Sequence, residues 1–318
     1  MTLIKPRSAA LALSLALVSV SAHAQDLTIS SGETYTNEVV LNNNIGNTLT
    51  NDGTLTNDGT LYNYGSGGLY NNGTLNNNGT LYNDGTFENF GTLNNNDGTL
   101  TNNFILSLNG SGTMTVAGGV VNLATMTNDG TFNFTGGTVD ATTIQNNGTF
   151  NFSGGTLNVD TFIGDLNNTG GTLGPGHSPG TTTINGNYSK DEYSTLLIEI
   201  GGTMAGSEYD VLLVTGDTSL DGLLRLDLLD GFAPVIGDAF VILQSANILG
   251  AFDGIYSPTA LGEGLRWELD YSNIAGIGFA NGGNDFLTVQ VSAVPVPAAL
   301  WLFGSGLGLL GWMRRKPA

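Results

Sequence analysis

From Asn51 onward the chain repeats one phrase, Asn-x-Gly-Thr followed by Leu or Phe, beginning at Asn51, Asn57, Asn71, Asn77, Asn83, Asn89, Asn96, Asn128 and Asn146. Most neighbouring copies are six residues apart. Self-similarity at a fixed spacing marks a solenoid or array, in which each unit buries its apolar residues only by stacking on its neighbours. Between Leu108 and Thr161 a longer period is explicit. A shift of 18 residues aligns Leu108 with Met126 and Ile144, Gly112 with Gly130 and Gly148, and Gly118-Gly119 with Gly136-Gly137 and Gly154-Gly155. Three hexads fill one such period, so the repeat predicts a parallel β-solenoid of about 18 residues per coil, with three short strands and three corners.

The residue types suit that geometry. In each Thr-Leu-x-Asn stretch the side chains alternate at period two, which turns Leu or Phe inward. Like residues then fall above like: Phe132 over Phe150, Phe134 over Phe152 and Val139 over Leu157, with Asn repeats forming hydrogen-bonded ladders along the axis. The Asn-Gly and Asp-Gly pairs are expected to supply positive φ at tight corners. Asn-Gly is also a hairpin signal, but four-residue strands in a meander bury almost nothing. The Asn and Gly content would also suit disorder, against which stands the register of Leu and Phe. Outward Thr rows (Thr54, Thr60, Thr74, Thr80, Thr86) suggest a water-ordering face, which insertions at 65–70 and 94–96 are expected to interrupt.

After Pro179 the repeat fades into strand-like runs at 194–200, 209–216, 222–229, 238–246 and 284–292, separated by Gly, Asp and Pro turns. This half reads as a continuation and β cap of the same structure, closing an end that would otherwise template aggregation. The stretch from Gly170 to Asp253, including "GGTLGPGHSPGTTTINGNYS" and "YDVLLVTGDTSLDGLLRLDLLDGF", resembles the C-terminal part of bacterial surface β-helix proteins and autotransporter-like passenger domains. That resemblance implies a right-handed parallel β-helix whose C-terminal rungs are the most regular.

The two ends carry the most specific signals. Lys5 and Arg7 precede an apolar run, and Ala22-His23-Ala24 follows it, the pattern of a cleaved secretory signal peptide. The C-terminus reads Val294-Pro295-Val296-Pro297, then an apolar run from Ala298 to Met313, then Arg314-Arg315-Lys316. This resembles the PEP-CTERM sorting signal of Gram-negative bacteria, with Val296 where the name motif has Glu. The resemblance implies an exosortase-like processing enzyme as partner, and an inner-membrane precursor tethered through a single hydrophobic helix. The basic cluster would hold its end on the cytoplasmic side. The expected divisions are a signal peptide (1–24), the repeat solenoid (25–183), a C-terminal β region (184–292) and the sorting signal (293–318).

Composition excludes several chemistries. The chain has 27 acidic residues against eight Lys and Arg, and between the two terminal segments the cations are only Lys190, Arg225 and Arg266. Nucleic acid is excluded as a partner, since phosphate contacts need clustered cations. With no cysteine there are no disulfides, thiol nucleophiles or thiolate metal sites. His177, in "GPGHSPG", is the one histidine beyond the signal peptide and reads as a solvated turn residue. "NGGNDFL" at 281–287 resembles the glycine-rich Ca²⁺ nonapeptide, but one incomplete copy reads as a turn.

No catalytic, cofactor-binding or metal site is therefore expected. The enzyme alternative is a β-helix polysaccharide lyase or hydrolase, which needs clustered carboxylates and commonly a basic residue. Residues 25–189 hold no Lys or Arg, and their acids (Asp52, Asp58, Asp84, Asp97, Asp129) sit mainly at corners. The expectation is a non-enzymatic surface protein, structural or adhesive, meeting hydrated exopolysaccharide through many weak contacts.

Overall fold

The computed structural model describes residues 26–271 and 285–295, with the isolated positions 303, 305, 307 and 309. The expected signal peptide, Val296, Pro297, Arg314, Arg315 and Lys316 lie outside these residues, as does most of the expected C-terminal helix. No helix among the described residues is long and apolar enough to cross a membrane.

The described chain is a parallel β-solenoid with three faces. The first face stacks Leu27–Ile29, Thr48–Asn51, Gly68–Asn71 and Thr86–Asn89, and runs on through residues 105–108, 125–128 and 143–146. Thr34–Asn37, Thr54–Asn57, Thr74–Asn77, Thr92–Asn95 and Thr113–Val116 open the second face, and residues 131–134 and 149–152 continue it. Val40–Asn43, Thr60–Asn63 and Thr80–Asn83 begin the third, followed by residues 99–102, 120–123, 138–141 and 156–159.

The Leu or Phe that closes each repeat phrase points inward. Leu49, Leu55, Leu61, Leu69, Leu75, Leu81, Phe87, Leu93 and Leu100 are all essentially inaccessible to solvent. Phe132 stacks on Phe150 with ring centroids 4.9 Å apart, and Phe134 on Phe152 at 5.1 Å, within the range in which aromatic pairs attract beyond simple burial. Val139 pairs with Leu157 in the same register.

From Thr34–Asn37 to Thr92–Asn95 the last residue of each strand is a buried Asn, and these form the expected ladders. On the second face Asn37 donates to Asn57, Asn57 to Asn77 and Asn77 to Asn95; on the third Asn43 donates to Asn63, Asn63 to Asn83 and Asn83 to Asn102. The distances span 2.5–2.8 Å. The second amide hydrogen of most of these donors goes to a main-chain carbonyl past the next corner, as from Asn57 to Thr80 O at 2.8 Å. The ladder therefore satisfies buried backbone as well as itself.

Three expectations need correction. First, the corner glycines of the repeat do not have positive φ; that conformation falls instead at Gly32, Gly46, Gly65 and the second glycine of pairs such as Gly118-Gly119. The corner glycines are required by crowding between coils. A Cβ on Gly73 would lie 2.0 Å from Gly53 O, and one on Gly91 2.1 Å from Gly73 O.

Second, 18 residues is the spacing between Asn71 and Asn89 and again between Asn128 and Asn146, but between them Thr92 pairs with Thr113 and Thr99 with Val120, 21 residues on. The earlier coils take 20, as between Asn37 and Asn57. There one corner is a four-residue turn (Asn44–Asn47, Tyr64–Gly67), closed by amide-to-carbonyl bonds of 3.0 and 2.9 Å. Extra residues are taken up at corners, so no face is interrupted: Thr34, Thr54, Thr74, Thr92, Thr113, Thr131 and Thr149 form one register.

Third, the C-terminal coils are the least regular. Spacing rises from 22 residues between Asp165 and Asn187 to 30 between Asp217 and Asn247. All three faces continue past residue 184 into Val211–Val214, Asp217–Leu220 and Leu223–Leu228. Parallel stacking ends where Asp285–Ala293 pairs antiparallel with both Ala239–Ser245 and Leu265–Asp270.

Candidate functional site

Strand alternation leaves two outward positions per coil on each face, the Thr and the variable residue two places later. On the third face the variable column reads Asn42, Tyr62, Tyr82, Thr101, Asn122, Asp140 and Asn158. Tyr62 stacks on Tyr64 of the adjoining corner, with centroids 5.2 Å apart and planes 9° from parallel. Tyr82 lies 5.9 Å further along at a tilt of 57°. Asn103, one coil on, donates to Tyr82 Oη at 2.6 Å and to Asp84 at 2.8 Å, which fixes the last ring. Phe104 stands exposed beside it.

Asn103 also borders a shallow depression of about 300 Å³, lined further by Asn102, Asn122, Leu123, Ala124, Asp140, Thr142 and His177. His177 reaches this place through a loop. Thr172 pairs with Thr156, but Thr183 pairs with Thr161, so the intervening turn at 176–180 projects over the face. Its base is fastened from inside the solenoid. Gly176 N donates to Thr182 Oγ1 at 3.0 Å and Gly180 N donates to Asp210 Oδ1 at 2.7 Å.

The solvated-turn reading of His177 is incomplete. The side chain is half exposed, yet Nδ1 hydrogen-bonds Asp160 at 2.9 Å while Nε2 lies 2.7 Å from Asp140 Oδ1. The Nε2 contact is within ion-pair distance. Burial works against protonation, but the bond to Asp160 and the charges of both carboxylates outweigh it, and the imidazole pKa is raised.

Asp140 and Asp160 also break the expectation that the acids sit at corners and apart. Asp52, Asp58, Asp84 and Asp129 do occupy corners, each accepting a bond of 2.8–2.9 Å from an Asn of the next coil. That spacing sets a carboxylate against a neutral amide, not another charge. The signal that could have exposed the His177 cluster is the excess coil length at 176–180, which a search for fixed periods passes over.

Further from this face, Asp210 is buried and its second oxygen accepts from Glu199 N at 2.8 Å. Burial pushes its pKa up to about 7 against the two amide bonds, which favour the charged form. Lys190 is buried too, donating to the carbonyls of Asp191 and Asp221, with Phe252 under its ammonium at 5.2 Å. Arg225 grips Asp227 through two bonds of 2.9 and 2.7 Å, and Arg266 lies 3.4 Å from Glu268. Each Lys and Arg among the described residues is thus already engaged. Those residues also hold no group of three or more His, Cys, Asp or Glu side chains arranged for a metal ion.

Of the expected sorting-signal residues, Val294 and Pro295 fall among the described residues, directly after Asp285–Ala293, and Val294 N donates to Gly264 O at 2.8 Å. No protein-family model matches the chain, and no curated protein is significantly similar to it.

Proposed function

We propose that this chain is an exported, exosortase-sorted surface or extracellular-matrix protein with a structural and adhesive role in the assembly of cell-surface polymer or exopolysaccharide biofilm. In this reading the solenoid winds right-handed, the antiparallel strands at its end act as a cap, and a hydrophobic helix after Pro297 holds the precursor in the inner membrane. Supporting the matrix role is the third face, a column of hydroxyl, amide and phenol groups, with the one carboxylate of Asp140, carried on main-chain ladders from Asn42 to Asn158. Such a surface offers many weak hydrogen bonds to a hydrated polymer, and it is held rigid by ladders beneath it. The body does no covalent chemistry in this reading, because His177 is occupied by two carboxylates that stabilise its charge.

One observation favours the second reading, a polysaccharide lyase or hydrolase: Asp140 and His177 flank the same depression. Purified protein screened against polysaccharides, with release of new chain ends measured in parallel, separates the two. Cleavage lost on Asp140→Asn establishes the enzyme; binding without cleavage supports the matrix role.

Sorting is tested by mass spectrometry of the surface-associated form, whose C-terminus is expected between Ser292 and Ala299. Deletion of residues 298–318 should leave the protein in the periplasm. Intact Trp312 and Met313 in surface material would mean a plain membrane anchor.

A further inference from the structure

We infer that the Tyr62–Tyr64–Tyr82 platform, continued through Asn103 to Asn122, is a binding site for an uncharged polysaccharide chain. This deepens the matrix reading and rests on it for the ligand being a glycan.

Three observations carry the inference. The aromatic rings are outward-facing and only partly covered, in a register where the solenoid core makes no demand on them. Tyr62 and Tyr64 stack with their planes 9° from parallel, which braces the rings and leaves the outer face of the stack as an apolar surface against which the C–H face of a pyranose ring can lie. Tyr supplies such area at little entropic cost, and the pin from Asn103 to Tyr82 lowers it further.

The second observation is linear continuity. From Tyr62 the column passes to Tyr82, Thr101, Asn122 and Asp140, each one coil further. Four coil steps at roughly 4.8 Å each give a track of about 19 Å, long enough for several sugar units in an extended polymer. Amide and hydroxyl groups follow the rings along it, with Asn122 Nδ2 3.4 Å from Thr101 Oγ1, leaving capacity to bond sugar hydroxyls.

Charge decides the class. Asp84 lies beside the platform and Asp140 and Asp160 at the far end of the track, and no Lys or Arg occurs anywhere from residue 8 to residue 189. The single cation at that end, His177, is already bracketed by both carboxylates. A uronate or sulfated polymer would bring like charge to this track with nothing to receive it. A neutral polymer meets no such penalty.

The test is affinity electrophoresis of the purified protein through gels containing neutral glucans, mannans, galactans or xylans, or a polyuronate, each with Ca²⁺ and with EDTA. At least one neutral polymer is expected to retard the protein equally with Ca²⁺ or EDTA, and the polyuronate should not retard it. The Tyr62→Ala/Tyr82→Ala variant should bind that polymer at least about tenfold more weakly, given two lost ring contacts. A Thr56→Ala/Asn76→Ala control, outward on the second face at the same coils, should bind as wild type, and matching circular dichroism would show that all three are folded. Retardation by no neutral polymer, or preference for the polyuronate, overturns the inference. Undiminished binding by the folded tyrosine variant overturns it too, while leaving the matrix role intact; that role fails separately if the protein is not found at the surface.

Discussion

The Asn ladder makes the sharpest energetic prediction, at Asn77. Its side chain is fully buried, accepts from Asn57 Nδ2 at 2.8 Å, and donates to Asn95 Oδ1 at 2.7 Å and Thr99 O at 3.2 Å. Asn77→Ala deletes all three bonds, at about 1 kcal/mol net each. It also strands Asn95 Oδ1 and weakens the pairing of Thr99 O, whereas Asn57 Nδ2 keeps Thr80 O at 2.8 Å. Adding part of the cost of unpaired buried acceptors brings the expected loss to roughly 3–5 kcal/mol. Asn94, one residue before Asn95, points outward and makes a single side-chain bond to Asn76 at 2.9 Å, so Asn94→Ala should cost no more than about 1 kcal/mol. Solenoids open locally, so native-state hydrogen exchange of the amides between Thr74 and Thr99 is the fitting assay, with urea denaturation alongside. Equal loss of protection in the two variants would refute the account of the ladder as a buried, interdependent network.

Other consequences follow from the same contacts. Gly73→Ala, whose Cβ would meet Gly53 O at 2.0 Å, should destabilise on the order of 3 kcal/mol, and more than Gly46→Ala, where φ is +81° and nothing lies within 4 Å; the reverse order in thermal denaturation would restore positive φ as the reason for corner glycine. The imidazole of His177 has a folded pKa raised above its unfolded value, so its stabilising contacts are fully present below the unfolded pKa and are lost as pH rises through the folded one. NMR titration of its ring should show a midpoint above about 6.5 that falls on Asp160→Asn; an unshifted midpoint would count against the clamp. Asp210→Asn retains one acceptor but turns an amide toward a backbone N–H, and should cost about 2 kcal/mol while raising exchange at Gly180, measurable by hydrogen exchange.

The strands and core were legible because the repeat states them directly: a Leu or Phe two places before each Asn can face only one way in a period-two strand. Register was legible where coil length is constant, hence the correct pairing of Phe132 with Phe150 and Phe134 with Phe152. The reason for the corner glycines was not. The sequence identifies the residue, but the atom that excludes a side chain there belongs to the preceding coil. Coil length failed for a related reason, since Gly65-Ser66-Gly67 reads as more of the same low-complexity composition although it builds a wider turn. The His177 cluster lay deepest, because its two carboxylates come from successive coils and the histidine from a loop that departs from the period.

That division between constrained and free positions bears on function. The second and fourth residues of each short strand are set by the interior, Leu or Phe then Asn, and the corner glycine by the coil above it. Of the two outward positions the first is mostly Thr, and the third varies from coil to coil, facing solvent with no partner demanded by the fold. Its column on the second face is Thr36, Thr56, Asn76, Asn94, Thr115, Asn133 and Asn151, small and polar throughout. On the first face it is Thr50, Tyr70, Glu88, Ser107, Thr127, Gln145 and Ile163, with one ring in isolation. Only on the third do two rings occupy consecutive coils, with a further ring at the corner and pinning amides after them. Because folding is indifferent to that choice, the asymmetry among three otherwise equivalent faces is where a ligand preference would be written, and it places the aromatic track on the face that also carries Asp140 and His177.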